Sequence, residues 1–485
     1  MLSDDEIPTA FTQGIAKIAA ERGELSKYND YHRGLQAMPR VPVGADPTLV
    51  ELVARATTNL MRLAVNIPAQ LSFIDGFFRV GTSDVDNDPP EWGIWDKSGF
   101  ASQQTNVFRT ALKYGHSFVM VDPVTGLLKL LPTRNTTAFF ADPVNDRVPI
   151  YVITTRQLPG GKQENIYIDD ERIITVSSSS TVSTFDKDFF KKHEAVVELH
   201  KLGRCPVVRF TCELNDEGEA TGVIEPLIPA QDRVNQTAYD LLVTQTYGSF
   251  SVRWAAGLTG DPVLDGKGDP VKDQDGFIQY KPLEVSQSRF LTTDDPSAKF
   301  GALPATPLDG FISALDNAVR SFAVMANIPP HSLLGAMSNL SAETIAAAMG
   351  QTNRFTHMLK MSWGESVLEL MSLTRAAWNF PELEDSRYEV RWRDMSDVSL
   401  AQIVDALGKA ATMLGVPGEG LWSRIPGTTD SDLKRWRNLR DEEQDTAMFN
   451  SSNVAEAATR EAQATGLFGG VTDGGTSNTS AADSA

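Results

Sequence analysis

Apolar residues recur along this chain at two periods, three-to-four and two, and the switch between them divides it into regions. Over 6–38, Ile7, Phe11, Ile15, Ile18 and Ala19 share one stripe, which predicts a helix. It ends in an aromatic cluster of Tyr28, Tyr31, His32, Arg33 and Gly34. A connector from Pro39 to Pro47 leads to a second amphipathic helix, about Leu49 to Val65. Leu71 to Val80 reads as a strand, or a hairpin turning at Asp75-Gly76. Phe100, Val107, Phe108 and Leu112 predict a helix over 100–114, and a buried strand follows from Ser117 to Val121. From Leu127 to Phe210 the runs are short and β-like, separated by Gly160-Gly161 and polar turns. Helices first and antiparallel strands after describe an α+β first half.

The second half returns to helices. Pro226 and Pro229 suit the first turn of a helix whose apolar positions are Val234, Ala238, Leu241, Leu242 and Gln245. Residues 250–305 break that regime with strand-like SFSVRWAA, a Gly/Asp/Pro-rich stretch, FIQY and RFLTT. A second helix then carries Leu308, Phe311, Ile312, Leu315, Val319, Phe322 and Ala326. Two amphipathic helices bracketing an insertion can pack antiparallel, which puts the insertion at one end of a stalk. After a short loop, Ser341 to Trp378 contains no proline. Unbroken, it would be roughly 55 Å long at 1.5 Å per residue. No heptad repeat supports a coiled coil, so a helix of that length points to a large assembly. Gly350 and Gly364 lie inside it, each about 1 kcal/mol less favourable than alanine. Close packing or a kink explains such glycines. A strand over Tyr388–Trp392 follows, then a helix from Leu400 to Leu414 opened by Ser399 and Gln402 at capping-box spacing. Another helix lies around Asp430 to Glu443, and the Gly/Ser/Thr-rich end is expected to be disordered. No internal repeat is evident.

Charge narrows the function. Acidic residues number 63 against 44 basic ones, a net −19. Proteins that grip nucleic acid usually carry a basic footprint, because neutralising phosphates supplies the affinity. The balance disfavours a DNA-coating protein but allows one that lets DNA slide past. No apolar run is long enough to span a bilayer. The acidic, polar N-terminus is unlike a secretory signal, so a cytoplasmic origin is expected. Cys205 and Cys212 match neither a zinc motif nor a redox pair and read as reduced thiols.

Catalytic patterns match poorly. Gly115-His116-Ser117-Phe118-Val119 lacks the last glycine of a nucleophile elbow. Gly160-Gly161-Lys162-Gln163 fails as a phosphate loop and suits a hairpin turn. Asp269, Asp273, Asp275 and Gly276 hint at a calcium loop, but Val271 and Pro282 occupy ligand positions, so a solvated turn is the reading. The six histidines form no helical pair, and the eight tryptophans suit packing. Neither a metal nor a cofactor is expected.

Several short pieces carry a family likeness. They are Tyr28-x-x-Tyr31-x-x-Gly34, Asn59 to Val65 followed by Leu71 and Gly76-Phe77, and Ala111 to Gly115 with Ser117 to Val119. Further on come Ile224 to Ile228 with Asp232 and Asn235, Ser341-Ala342-Glu343, and Asp405-Ala406 with Lys409 and Gly415-Val416-Pro417. In this order and spacing the chain resembles the portal proteins of long-tailed double-stranded DNA bacteriophages, from Tyr28 to about Glu443. It departs from many relatives in lacking an adjacent tyrosine pair at the first motif.

The resemblance implies a multidomain portal architecture. Residues 1–222 would be an α/β wing, 223–249 and 306–327 the two stem helices, and 250–305 a small β-rich clip. Residues 328–340 would be the tunnel loop, 341–393 the long helix and a wing strand, 394–445 a helical crown, and 446–485 a C-terminal tail. Such proteins form a ring, usually of twelve copies, at one capsid vertex of the virion. They are assembled in the host cytoplasm, conduct DNA in and out, and have no catalysis of their own. The implied partners are further copies of the chain, the terminase large subunit, a head–tail adaptor, and the major capsid and scaffolding proteins. Double-stranded DNA would pass transiently and without sequence preference, and no membrane is involved.

In the tunnel loop, His331, Ser332, Leu333, Leu334, Met337, Ser338 and Asn339 would face DNA. The loop contains no Lys or Arg, as suits a surface past which a polyanion moves. Stem packing would rest on Val234, Leu241, Phe311, Leu315, Val319 and Phe322. Gly350 and Gly364 are the two candidate kink positions. Two alternatives stand beside this reading: another virion ring or adaptor component, and an enzyme of unrecognised class on an α+β domain. Length and the stem–clip–stem order weigh against the first, and the absent constellations against the second.

Overall fold

The computed structural model describes residues 3–36, 39, 41, 44, 47–79, 89–178, 185–186, 189–190, 193, 195–248, 253–256, 262–281, 299–302, 306–335, 347–380, 388–393, 395, 400–422, 424–425, 428 and 430–466. It is a multidomain α+β protein that divides into two compact units. One comprises Met1–Thr82 and Asp88–Arg393, the other Ser83–Asn87 and Asp394–Ala485.

The first unit opens with three helices: α1 (Ile7–Arg33), α2 (Pro47–Ala56) and α3 (Met61–Leu71). Strand β1 (Ile74–Arg79), α4 (Pro90–Lys97) and α5 (Phe100–Tyr114) follow. The β region contains β2 (His116–Val121), β3 (Leu128–Leu131), β4 (Thr136–Phe139), β5 (Tyr151–Gln157), β6 (Gln163–Ile168), β7 (Arg172–Ser178), β8 (Val196–Leu199) and β9 (Val207–Thr211). A small hairpin, β10 (Glu213–Leu214) and β11 (Ala220–Thr221), leads to α6 (Ile224–Gly248). Then come β12 (Arg253–Ala256), β13 (Lys299–Ala302), α7 (Asp309–Met325), α8 (Pro330–Leu334), α9 (Gly350–Ala377) and β14 (Tyr388–Trp392).

Strands β4 to β8 form a five-stranded antiparallel meander, and β3-β2-β9 a separate three-stranded sheet. The stripe of α1 lies on the meander: Ile7, Phe11, Ile15 and Ile18 share a core with Tyr151, Ile153, Tyr167 and Val176. The C-terminal half of α1 enters a larger core through Leu25, Tyr28 and Tyr31. There they join Phe108 and Leu112 of α5, Val119 of β2, Phe210 of β9, Val234 of α6, Phe322 of α7 and Trp363 of α9. One helix thus ties the meander to the core on which the later helices are built.

Several expectations are corrected. Asp75-Gly76 is not a hairpin turn, because β1 runs through it and pairs with β14, more than 300 residues away in sequence, with a register shift between Ile74 and Gly76. The Arg391 guanidinium fills that irregularity, donating to Asp75 Oδ1 at 2.9 Å and to the Asp75 carbonyl at 2.6 Å. Such long-range pairing leaves no local signal that separates a strand from a hairpin. The predicted helix over about 49–65 is two helices, α2 and α3, separated by residues 57–60. The long helix begins at Gly350, and residues 341–346 lie outside those described. It spans 28 residues, about 42 Å at 1.5 Å per residue.

An internal repeat of eight residues, invisible as periodicity, is built into 263–280. Val263, Asp265 and Gly268 correspond to Val271, Asp273 and Gly276. The Val263 N–H donates to Gln279, Val271 to Val263, and Gln279 to Val271, each at 2.8 Å, closing a backbone triangle. Asp265 Oδ1 accepts the N–H groups of Lys267 and Asp269, and Asp273 Oδ1 those of Asp275 and Phe277. Gly268 and Gly276 take φ of 90° and 86°, which a side chain resists. Of the aspartates noted as a weak calcium signal, Asp273 therefore shapes one turn with its carboxylate, as Asp265 shapes the other. FIQY belongs to this unit, and the predicted RFLTT strand lies outside the described residues.

In the second unit, α10 (Leu400–Leu414), α11 (Gly418–Trp422) and α12 (Asp430–Gly466) follow one another. Trp422 meets Trp436 edge-on with centroids 6.1 Å apart, and Arg440 pairs with Glu419 at 2.6 Å. The helix expected around Asp430 to Glu443 continues to Gly466, and residues 467–485 lie outside the described set. Ala-rich sequence after Phe449 extends a helix despite its low apolar content.

Candidate functional site

Two places gather the residues singled out in the sequence. The first is a junction of α1, α3 and α6. Gln231 and Asn235 are one turn apart on α6, and both are buried. Gln231 Oε1 accepts the N–H groups of Leu60 and Met61 at 3.1 and 3.2 Å, while its Nε2 donates to the Thr58 carbonyl and to Asn235 Oδ1. Asn235 Oδ1 also accepts the Thr58 N–H at 3.0 Å. These side chains help satisfy the N–H groups at the start of α3, where Leu60 also donates to the Thr58 carbonyl at 3.2 Å and Arg62 to Asn59 Oδ1 at 3.2 Å.

Around them, Tyr31 donates to Asp232 at 2.8 Å, and Asn59 Nδ2 donates to the His32 carbonyl at 2.9 Å. Gly34 ends α1 at φ 75°, and a Cβ there would lie 3.2 Å from Asn59 Nδ2. Tyr28 donates to Glu24 at 2.9 Å. Burial, with the acids Glu24 and Glu225, drives the Tyr28 phenol pKa up, and burial with Asp232 does the same for Tyr31. Motif residues scattered from Tyr28 to Asn235 thus fix the base of α6 against the N-terminal helices.

The second place is formed by α6 to α9. Helices α6 and α7 pack against each other. Gly248 leads into β12 and β13 leads toward Asp309, and those strands pair antiparallel from Arg253↔Ala302 to Ala256↔Lys299. The two helices therefore run in opposite directions, with the β12–β13 ribbon at one end. Helix α2 packs on α6 through Leu52, Val53 and Ala56 against Ala238 and Tyr239, a contact that the sequence did not suggest.

At the other end of α7, Asn327 takes φ 57° and the Ile328 N–H reaches back to the Ala323 carbonyl at 2.9 Å, a Schellman-type stop. Gln351 Nε2 donates to Asn327 Oδ1 at 2.8 Å, and the Thr352 hydroxyl donates to the Asn327 carbonyl. The first turn of α9 thereby clamps the end of α7, and α8 lies in the segment between them. Farther along, Trp363 stacks on Phe108 with centroids 4.4 Å apart and donates to the Thr211 carbonyl at 2.8 Å. Ser366 donates to the Arg209 carbonyl at 2.8 Å.

Most of the predicted residues fall within the described set. Val234, Val319 and Phe322 are buried in the large core. Leu315 is half-buried and touches both that core and the α2–α6 cluster. Leu241 and Phe311 are half-buried toward the ends of α6 and α7 nearer the insertion. His331, Ser332, Leu333 and Leu334 belong to the helical turn α8, whose last residue is followed by Gly335 at φ 66°. Leu333 and Leu334 pack partly against the large core, while Ser332 is exposed. Met337, Ser338 and Asn339 lie outside the described residues. Gly350 is the first residue of α9, after a turn at Met349, and Gly364 is buried within its continuous run. A Cβ at Gly364 would meet only Val390 Cγ2, at 4.0 Å.

Among the described residues no group of His, Cys, Asp and Glu is placed to hold a metal, and no helix is long and apolar enough to cross a membrane. A cavity of about 450 Å³ is lined by Tyr28, His116, Arg209, Glu219 and Glu225 among others. Desolvation, with Arg209 and Lys17, pushes the His116 pKa down to about 4.

The fold thus pairs two antiparallel helices around an inserted β segment and clamps them to a long helix packed on an α+β core. The model of the phage portal proteins of the SPP1 Gp6-like type matches residues 22–446, and the chain belongs to that family. It is similar to the portal protein of Mycobacterium phage D29, with 23% identity over 464 residues, covering 90% of this chain and 88% of that one. Among solved structures, it is similar to a chain in the neck of an empty gene transfer agent particle computed with C6 symmetry. That match has a TM-score of 0.42 and 12% identity, over 78% of this chain and 92% of that one. A chain of the native gene transfer agent virion gives a TM-score of 0.42 and 12% identity, over 80% and 97%.

Proposed function

We propose that this phage portal protein assembles as a ring of twelve at one capsid vertex. DNA would enter the head through its channel and leave by the same route. In this reading α6 and α7 are the stem, the residues between them the clip, 328–340 the tunnel segment, and α10 with the start of α12 the crown. The carrying observation is the α6–α7 pair, whose connected ends feed the short β12–β13 ribbon. That arrangement holds an insertion away from the core, where a motor or an adaptor can reach it.

The terminase large subunit and a head–tail adaptor are the proposed occupants of the clip. The capsid and scaffolding proteins are the proposed neighbours of the remaining surface. Nucleotide hydrolysis belongs to the motor in this account, and the ring itself performs no catalysis. The tunnel segment is short of cations: 328–340 contains His331 but neither Lys nor Arg. Each phosphate contact adds affinity, so a wall without them lets DNA move. Deleting 336–339 leaves the α8 turn and its two leucines in place. Rings should form normally from that variant while packaging or retention of DNA falls. Failure to form rings would show that the segment is structural, and undiminished packaging would remove its assigned role.

A further inference from the structure

A chain with 19 surplus negative charges nonetheless concentrates cations where α1, α3 and α5 meet. Arg33 ends α1, Arg62 begins α3, Arg109 and Lys113 lie one turn apart on α5, and Arg134 sits in the turn before β4. Arg33, Arg62 and Arg134 are exposed, while Arg109 and Lys113 are half-buried. The two half-buried cations are held by neutral amides. Arg109 Nε donates to Asn66 Oδ1 at 2.9 Å and its Nη1 to Asn106 Oδ1 at 3.0 Å, and Lys113 Nζ donates to Asn29 Oδ1 at 3.2 Å. Among the described residues none of the five lies within ion-pair distance of a carboxylate. Elsewhere in the same unit Arg172, Arg375 and Arg391 are each paired with an acid. His32 sits among Lys113, Arg109 and Arg62, and its Nε2 is buried with no hydrogen-bond partner.

The ends of α1 and α5 do not account for this charge. A helix C-terminus presents roughly half a negative charge, so two offset about one cation of the five. Burial and the charges of Arg134, Arg109 and Arg33 hold the Lys113 pKa down to about 8, the mark of a cation short of anions. The surroundings are polar, with Asn29, Asn59, Asn66 and Asn106 interleaved. Interfaces between protein copies use Arg too, but around apolar, aromatic cores, whereas protein–DNA interfaces are polar and strongly positive, as this patch is.

We propose that Arg33, Arg62, Arg109, Lys113 and Arg134 form a docking surface for the phosphodiester backbone of double-stranded DNA. The inference rests on the portal reading but concerns elements other than the tunnel segment. The amides orient Arg109 and Lys113 and leave the remaining guanidinium and ammonium donors for phosphate oxygens. With only backbone contacts, binding is independent of sequence.

The test uses rings of the full chain and a fluorescent 30-base-pair duplex, with affinity measured by anisotropy across a salt series. Three variants are compared: wild type, the triple variant Arg62→Gln/Arg109→Gln/Lys113→Gln, and a charge-matched control, Lys162→Gln/Lys201→Gln/Lys267→Gln. The triple variant should bind at least tenfold more weakly at low salt. Its salt slope should fall by about 2 to 3, near 0.9 per lost phosphate contact. The control should keep the wild-type slope. Equal losses in both variants would reduce the effect to net charge and overturn the proposal. So would an unchanged triple variant, or a wild-type ring that binds inorganic phosphate but no duplex. A triple variant that no longer forms rings would assign the patch to a neighbouring copy. Absence of rings in the wild type is a separate result, because it contradicts the portal reading itself.

Discussion

Gln231 shows how much one polar side chain can decide. It serves two N–H groups and a carbonyl at the entry to α3, all without help from solvent. Gln231→Leu should lower unfolding free energy by about 2–4 kcal/mol, since buried groups left unpaired cost about 1–3 kcal/mol each and partly re-form bonds. Chemical denaturation of the variant checks this, and a loss below 0.5 kcal/mol would mean that water replaces the side chain (an order-of-magnitude threshold). Asn327 is the second such residue. Asn327→Val should be clearly destabilising, because a β-branched side chain resists φ 57° and loses the bond from Gln351, whereas Asn327→Gly should restore the backbone term only.

Histidines set a pH response. Burial, with the cations Lys113, Arg109 and Arg62, holds the His32 pKa at about 4, and desolvation beside Arg209 does the same for His116. Both lie below the ordinary value of 6.5, so the unfolded chain binds more protons. The stability they contribute is complete above pH 6.5 and is lost as pH falls toward 4. The melting temperature should drop across that window, and less steeply in His32→Asn/His116→Phe. Of these residues the sequence displayed Tyr31, Gly34, Asp232 and Asn235 as pieces of a family pattern. Gln231 and Asn327 carried no signal, since a polar residue inside a helix or after one is ordinary until its partners are known.

At the scale of elements, amphipathic spacing located α1, α5, α6 and α7 because each lays one stripe on a core, whereas α10 was located from its capping-box opening. Pairings across the chain were not legible: β1 with β14, α2 with α6, and the repeat in 263–280 each depend on contacts or hydrogen bonds that local periodicity does not encode. Helix α9 starts at Gly350 after a turn at Met349, one of the two glycines singled out in the sequence as kink candidates. The two phenylalanines of α7 now separate in meaning. Phe322 is fully buried within its own chain, so Phe322→Asp should prevent folding of the large core. Phe311 is half-buried near the insertion, so Phe311→Asp should leave a folded chain that fails to assemble. Circular dichroism melting with size-exclusion light scattering distinguishes the outcomes. Normal rings from Phe311→Asp would remove that position from the subunit contact.

For the whole molecule, charge and assembly have to be reconciled. Twelve copies would carry about −230, a repulsion that large contacts must offset. Obligate interfaces commonly bury more than about 2,000 Å². Closure into a ring further requires that each copy present two different, complementary surfaces. The half-buried positions of α6 and α7 and the cation cluster are separate features: the first suits contact between copies and the second a polyanion. Electron microscopy of the purified full-length chain, with symmetry determined from end-on averages, tests the central claim most directly. The account predicts closed rings of twelve subunits around a central channel wide enough for a DNA duplex. Monodisperse monomers under every assembly condition, or closed particles without a channel, would contradict it.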